Sequence, residues 1–63
     1  MPMTLKKARL VNEKTQQEMA DALGVYIDTY RKMEENPERV TIENAKKIAS
    51  FLGMSVNDIF FAL

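Results

Sequence analysis

Cysteine and histidine are both absent from this chain. Their absence removes disulfide staples, thiol nucleophiles, imidazole bases and the usual zinc ligands, which argues against a metal enzyme or a triad hydrolase. No constellation of nucleophile, base and oxyanion donors can be assembled from what remains, so no enzymatic activity is expected. No apolar run reaches the roughly 18 residues that a membrane-spanning helix needs. The N-terminus also lacks the basic, apolar and small-residue succession of a signal peptide. The expectation is a cytoplasmic protein with no membrane contact, no cofactor and no evident small-molecule substrate. With 63 residues, the chain has room for one domain around one small core, near the lower size at which folding proceeds without disulfides or metal.

Net charge is missing as well, since nine basic residues are matched by nine acidic ones. The distribution is slightly polarised. Residues 1 to 32 carry six basic groups against four acidic, and residues 33 to 63 carry three against five. Two charges make a weak field, which fits a partner on the N-terminal half and fits ordinary solvated surface equally well.

What is present is helical periodicity throughout, with no stretch that alternates at period two for long enough to suggest a sheet. The pattern predicts five helices and an all-α fold. The most informative segment runs from Thr15 to Asn36, TQQEMADALGVYIDTYRKMEEN. Thr15 is placed to cap a helix with Glu18 reaching back to it, the reciprocal arrangement of a capping box. Met19, Ala20 and Leu23 share one face, and Gly24 supplies the positive φ at which the chain reverses. A second helix follows, with Val25, Tyr30 and Met33 inward and Ile27, Asp28, Arg31 and Lys32 outward. A small side chain at Ala20 lets two helices cross closely, as in a helix-turn-helix unit. The outer face of the second helix is thereby offered to a partner.

Before this segment the periodicity predicts a helix from about Leu5 to Asn12, with Leu5, Ala8, Leu10 and Val11 as its apolar positions. After it comes a loop over Glu35 to Thr41. Thr41 then caps a fourth helix with Ile42, Ala45, Ile48, Ala49 and Leu52 as an inward stripe, and Gly53 closes it. Ser55 caps a short fifth helix, with Asp58 in its first turn and Val56, Ile59 and Phe60 apolar. Met19, Met33 and Met54 occupy core positions, where methionine fills gaps.

These residues resemble the lambda-repressor-like helix-turn-helix regulators, the Cro/C1 or XRE type, from about Leu5 to Phe61. Three blocks carry the resemblance: T-Q-x-E-x-A-x-x-x-G-V at Thr15 to Val25, Glu34 at the end of the second helix of the unit, and A-K-K-I-A-x-x-L-G-x-S-V-x-D-I-F-F at Ala45 to Phe61. The resemblance implies a compact five-helix, lambda-repressor-like DNA-binding domain. Its implied function is sequence-specific binding of a double-stranded DNA operator as a transcriptional regulator of repressor type, with the helix at about residues 27 to 34 in the major groove. Ile27, Asp28, Arg31 and Lys32 match base-reading positions. Arg31 and Lys32 would donate to guanine O6 and N7 or to phosphate, and Ile27 would pack on a thymine methyl. Asp28 would accept from a cytosine amine. Gln16 matches the glutamine that binds a phosphate at a helix N-terminus, and Gln17, Tyr26 and Asn36 are further phosphate candidates.

The resemblance also implies an ion pair between Arg9 and Glu34 that ties the first helix to the end of the reading helix. Three departures accompany it. Tyr26 stands where a capping serine or threonine is usual. Glu13 and Lys14 replace a glycine and an apolar residue, so a different first loop is expected. Asn36 replaces a glycine, and asparagine tolerates the left-handed turn expected there.

Phe60, Phe61 and Leu63 end the chain with more apolar surface than so small a core covers easily. Together with Val56 they either fold back onto the core or form a homodimer seam, and regulators that bind paired half-sites favour the seam. The second functional reading is a helix-turn-helix module that binds another protein, like an antagonist or antitoxin, for which neutral charge and Asp28 speak.

Overall fold

Short hydroxyl side chains set where this chain turns helical. In the computed structural model, which describes residues 4–60, Thr4, Thr15, Thr41 and Ser55 each accept a backbone N–H at a helix start. The helices they open are α1 (Leu5–Val11), α2 (Gln16–Leu23), α4 (Ile42–Leu52) and α5 (Val56–Ile59). At Thr15 the predicted capping box is complete: Thr15 Oγ1 accepts from the Glu18 amide at 3.0 Å, and the Thr15 amide donates to Glu18 Oε1 at 2.8 Å. The remaining helix, α3 (Ile27–Glu35), starts at Tyr26 with no side-chain cap. Each such cap is worth about 1 kcal/mol, so α3 relies on packing more than its neighbours do.

Gly24 and Gly53 terminate α2 and α4 in the same way, at φ 71° and 67°. Behind each, the next residue's amide reaches back one turn, Val25 to the Ala20 carbonyl at 3.0 Å and Met54 to Ala49 at 2.9 Å. These are the paired bonds of a left-handed helix stop, which glycine adopts without a Cβ penalty.

The core is one cluster. Leu5 and Ala8 from α1, Met19, Ala20 and Leu23 from α2, Tyr30 from α3, Ile48, Ala49 and Leu52 from α4, and Ile59 from α5 are buried together. Val25, Met33, Met54, Val56 and Phe60 pack half-buried around it. α2 lies against both α3 and α4, and Ala20 is fully buried where it does so. No helix among the described residues is long and apolar enough to cross a membrane, and no group of three or more acidic side chains is placed to hold a metal.

Several expectations need correction. Leu10 and Val11, expected as apolar positions of the first helix, and Ile42, expected in the inward stripe of the fourth, are all more than half exposed. In α1 the third buried position goes to Arg9 instead. At 100° per residue, burying Leu5, Ala8 and Arg9 turns Leu10 and Val11 toward solvent. Ile42 opens α4 beyond the edge of the core. The segment expected to be loop from Glu35 is shorter, because α3 includes Glu35 and Pro37–Arg39 form a 3-10 turn. Asn36 is not left-handed; it sits at φ −132° and ψ 70°. The cause is Pro37, whose ring pushes the preceding residue toward extended backbone.

The left-handed residue is Glu13, at φ 57°. The first loop thus keeps a conformation that suits glycine while carrying a glutamate. An L side chain there costs about 1 to 2 kcal/mol, and glycine would return about 0.5 to 1 kcal/mol of that as extra chain entropy. Glu13→Gly is therefore expected to raise the melting temperature by a few degrees, on a scale of about 4 to 8 °C per kcal/mol for a domain this small. A thermal melt followed by circular dichroism checks it; a lower melting temperature would contradict the strain.

Candidate nucleic-acid interface

Glu34, near the end of α3, receives four donors. Arg9 Nε donates to its Oε2 at 2.6 Å and Arg9 Nη2 reaches Oε1 at 3.5 Å. The Tyr30 hydroxyl donates to Oε2 at 2.6 Å, and Gln16 Nε2 donates to Oε1 at 3.1 Å. Arg9 is held from a further side by the Lys14 carbonyl, which accepts from Nη1 at 2.9 Å. The two charged side chains are only 8% and 7% exposed. Among the described residues no buried side-chain polar atom lacks a partner.

The electrostatics follow from that arrangement. Burial pushes the Glu34 carboxyl up, but the hydrogen bonds from Arg9, Tyr30 and Gln16 outweigh it and hold the group below the ordinary glutamate range. The bond to Glu34 raises Arg9. Burial, and then the bond to the carboxylate, raises Tyr30 far above the usual phenol value. All three keep their expected charge states at neutral pH. Sequence reasoning placed Arg9 and Glu34 together and missed the Tyr30 hydroxyl. The signal was available in the i, i+4 spacing of Tyr30 and Glu34, which brings the two onto one face of α3.

From this buried cluster the site opens outward through Gln16. The Gln16 carbonyl accepts from Arg31 Nε at 3.2 Å, and Arg31 Nη1 donates to Asp28 Oδ1 at 3.3 Å. Gln16, Arg31, Glu34, Glu35 and Lys6 line a cleft of about 300 Å³ between the helix starts of α1 and α2 and the outer side of α3. Lys6 was not among the expected site residues; the i−3 spacing to Arg9 was its only signal. Across the α2–α3 turn, Gln17, Asp21, Tyr26, Ile27 and Asp28 border a second, shallow depression.

The structure divides the predicted site residues into groups. Asp28, Arg31 and Lys32 are exposed on α3, as expected. Ile27 is not on the outer face; it is half-buried against the core. Gln16 is half-buried, with one amide N–H committed to Glu34. Gln17 is exposed and donates to Asp21 Oδ1 at 2.9 Å. Tyr26 is 87% exposed, and Asn36 is exposed at the far end of α3. Val56 and Phe60 are half-buried against this chain's own core, while Phe61 and Leu63 lie outside the described residues.

The family model described as "Helix-turn-helix" matches residues 5–59, which takes in α1 to α5 and every contact of the Glu34 cluster. The chain belongs to the Cro/C1-type helix-turn-helix family. Within that family it is similar to the cryptic phage CTXphi transcriptional repressor RstR of Vibrio cholerae serotype O1 (strain ATCC 39315 / El Tor Inaba N16961). The two are 38% identical over 58 residues, covering 84% of this chain and 52% of the relative. The chain thus spans about half the length of that curated relative. No solved structure matches it significantly. Membership accounts for the all-helical architecture of the described residues and for the helix-turn-helix unit formed by α2 and α3.

Because the Arg9–Glu34 pair is buried, removing one partner strands the other. Arg9→Ala is expected to cost roughly 3 to 5 kcal/mol, against a total stability of about 3 to 9 kcal/mol for a domain of this length. The variant should be largely unfolded at 37 °C by circular dichroism, and a melt within a degree or two of the parent would overturn the role given to the pair. The pH dependence has a definite sign. Glu34 titrates lower folded than unfolded, so its contribution is complete above the ordinary glutamate value of about 4.3 and is lost as pH falls through the lower folded value. Urea melts between about pH 6 and pH 3 should show stability falling below about pH 4.3.

Proposed function

We propose that this chain is a sequence-specific DNA-binding transcriptional regulator that acts as a repressor and places α3 in the major groove of duplex DNA. The observation that carries the reading is the family match over residues 5–59 on a fold that leaves Asp28, Arg31 and Lys32 exposed along one helix. Helices of this kind read base edges with their N-terminal residues while the preceding helix crosses the sugar–phosphate backbone. Among the first-turn amides of α2, that of Glu18 is taken by Thr15, and those of Gln16 and Gln17 point toward any anion at that end. Gln16 and Gln17 lie in that turn, and Gln16 retains a second amide N–H beside its bond to Glu34. Lys6 adds a cation to the same cleft. Tyr26 and Asn36 flank α3 and would contact phosphates on either side.

Binding as a homodimer fits the paired half-sites that such regulators occupy, and Val56 and Phe60 with Phe61 and Leu63 form the proposed seam. The name of the RstR relative supports repression, and the work would be done in the cytoplasm, where the DNA is. The second reading, a helix-turn-helix module that binds protein, draws on the net charge of zero and on an exposed carboxylate at Asp28.

Salt dependence separates the two. Binding to duplex DNA should weaken steeply with salt, log K falling by about 0.9 per log unit of salt for each phosphate neutralised. No retention of any duplex at about 50 mM salt would favour the protein-binding reading. Tyr26→Ser offers a second test with opposite signs in its two readouts. It supplies the missing cap of α3 and should stabilise the fold by about 1 kcal/mol, while removing a phosphate contact and weakening DNA binding several-fold. A variant more stable and equally tight in binding would remove Tyr26 from the interface.

A further inference from the structure

We propose that Arg31 is the residue that reads a guanine, and that Asp28 and Gln16 are positioning residues that fix its guanidinium for the purpose. The inference rests on the DNA-binding reading above and assigns the specificity determinant within it. A guanidinium carries five N–H donors in a rigid fork. In Arg31, Nε is committed to Gln16 Oε1 at 3.2 Å and one N–H of Nη1 to Asp28 Oδ1 at 3.3 Å. The second N–H of Nη1 and both on Nη2 remain, on a side chain that is 53% exposed. An Nη1–Nη2 pair of donors is what guanine O6 and N7 accept in the major groove.

The braces are themselves oriented. The Glu34 carboxylate only accepts, so the Gln16 group 3.1 Å from it must be the amide nitrogen, which turns the Gln16 oxygen toward Arg31. Glu34 in turn is held by Arg9 and Tyr30. Orientation is thereby passed from the buried ion pair to an exposed donor fork, and the ordering of a long side chain is met in folding rather than on binding. Lys32 differs in kind. Its side chain is exposed and makes no hydrogen bond or ion pair among the described residues, and as a point charge on a flexible stem it suits a phosphate. Asp28 is reassigned by the same geometry. Its carboxylate serves Arg31, which also offsets the repulsion it would otherwise exert on the DNA backbone.

The test is selection of bound sequences from a random duplex pool with the full chain and with Arg31→Ala, Asp28→Ala, the double variant and Lys32→Ala. Asp28 and Arg31 are exposed (82% and 53%) and lie outside the core, and melting temperatures close to the parent's verify folding. The parent should select guanine at one position of each half-site. Arg31→Ala should lose that preference alone, by about 5- to 150-fold, the range of a bidentate arginine–guanine pair. Asp28→Ala should weaken the preference at the same position and have no further effect on it when Arg31 is already alanine. Lys32→Ala should weaken all sequences alike.

A uniform loss in Arg31→Ala, with the salt slope reduced by about one phosphate, would overturn the assignment and leave the DNA-binding reading standing. A base preference in Asp28→Ala that changes at a position Arg31 does not govern would make Asp28 a reader and overturn the brace. A parent that selects no sequence at all would overturn both readings.

Discussion

A charge pair lies where a hydrophobic contact would ordinarily join two helices. Arg9 comes from α1 and Glu34 from α3, and each side chain is more than nine-tenths buried. Burying two ions is tolerable only when geometry and extra hydrogen bonds offset the loss of water. Here the Lys14 carbonyl, the Tyr30 hydroxyl and the Gln16 amide supply those bonds. A seven-residue helix such as α1 would not persist alone in water. Its place in the fold depends on Leu5, Ala8 and this pair. The same carboxylate that anchors α1 also sets the orientation of Gln16 and, through it, of Arg31. Stability and the shape of the proposed reading surface therefore share one buried group.

Apart from the left-handed Glu13, the fold's departures from regularity are grouped around α3. α3 is the one α-helix among the described residues that begins without a side-chain cap, and it carries exposed acids at Asp28 and Glu35 and exposed bases at Arg31 and Lys32. A chain selected for stability alone would cap this helix. The sequence instead puts an exposed aromatic hydroxyl at Tyr26, where a ligand's phosphates would lie in the proposed complex. Local consistency is kept in α2, α4 and α5 and relaxed at the helix proposed to meet DNA, the pattern expected of functional sites.

Much of the architecture was legible in the residues because it rests on local rules. Thr15 with Glu18, Gly24, Thr41, Gly53 and Ser55 act through backbone bonds within one turn, and each was found where its spacing placed it. What was not legible depends on tertiary context. Arg9 took an inward position that an apolar pattern would give to a hydrophobe, and the apolar Leu10 and Val11 fall on the solvent side. Asn36 was assigned a left-handed turn because its own tolerance was weighed without the ring of Pro37. Ile27 was assigned to the outer face by helix phase alone, whereas in the fold it packs half-buried against the core. At the site, the Arg9–Glu34 link followed from family resemblance. The chain onward through Gln16 and Arg31 to Asp28 required coordinates, since no spacing rule connects residues 15 apart.

The separation between the anchored interior and the exposed face of α3 bears on how such a sequence changes over generations. Arg9, Tyr30 and Glu34 constrain one another, and a substitution in any one leaves a buried group without its partner. Tyr26, Asp28 and Lys32 have no part in the core, and substitutions at such positions usually alter stability by about half a kcal/mol or less. A lineage carrying this fold can therefore exchange those exposed residues one at a time while every intermediate still folds. Divergence of its binding preference is accessible by single steps, whereas its scaffold is held against drift.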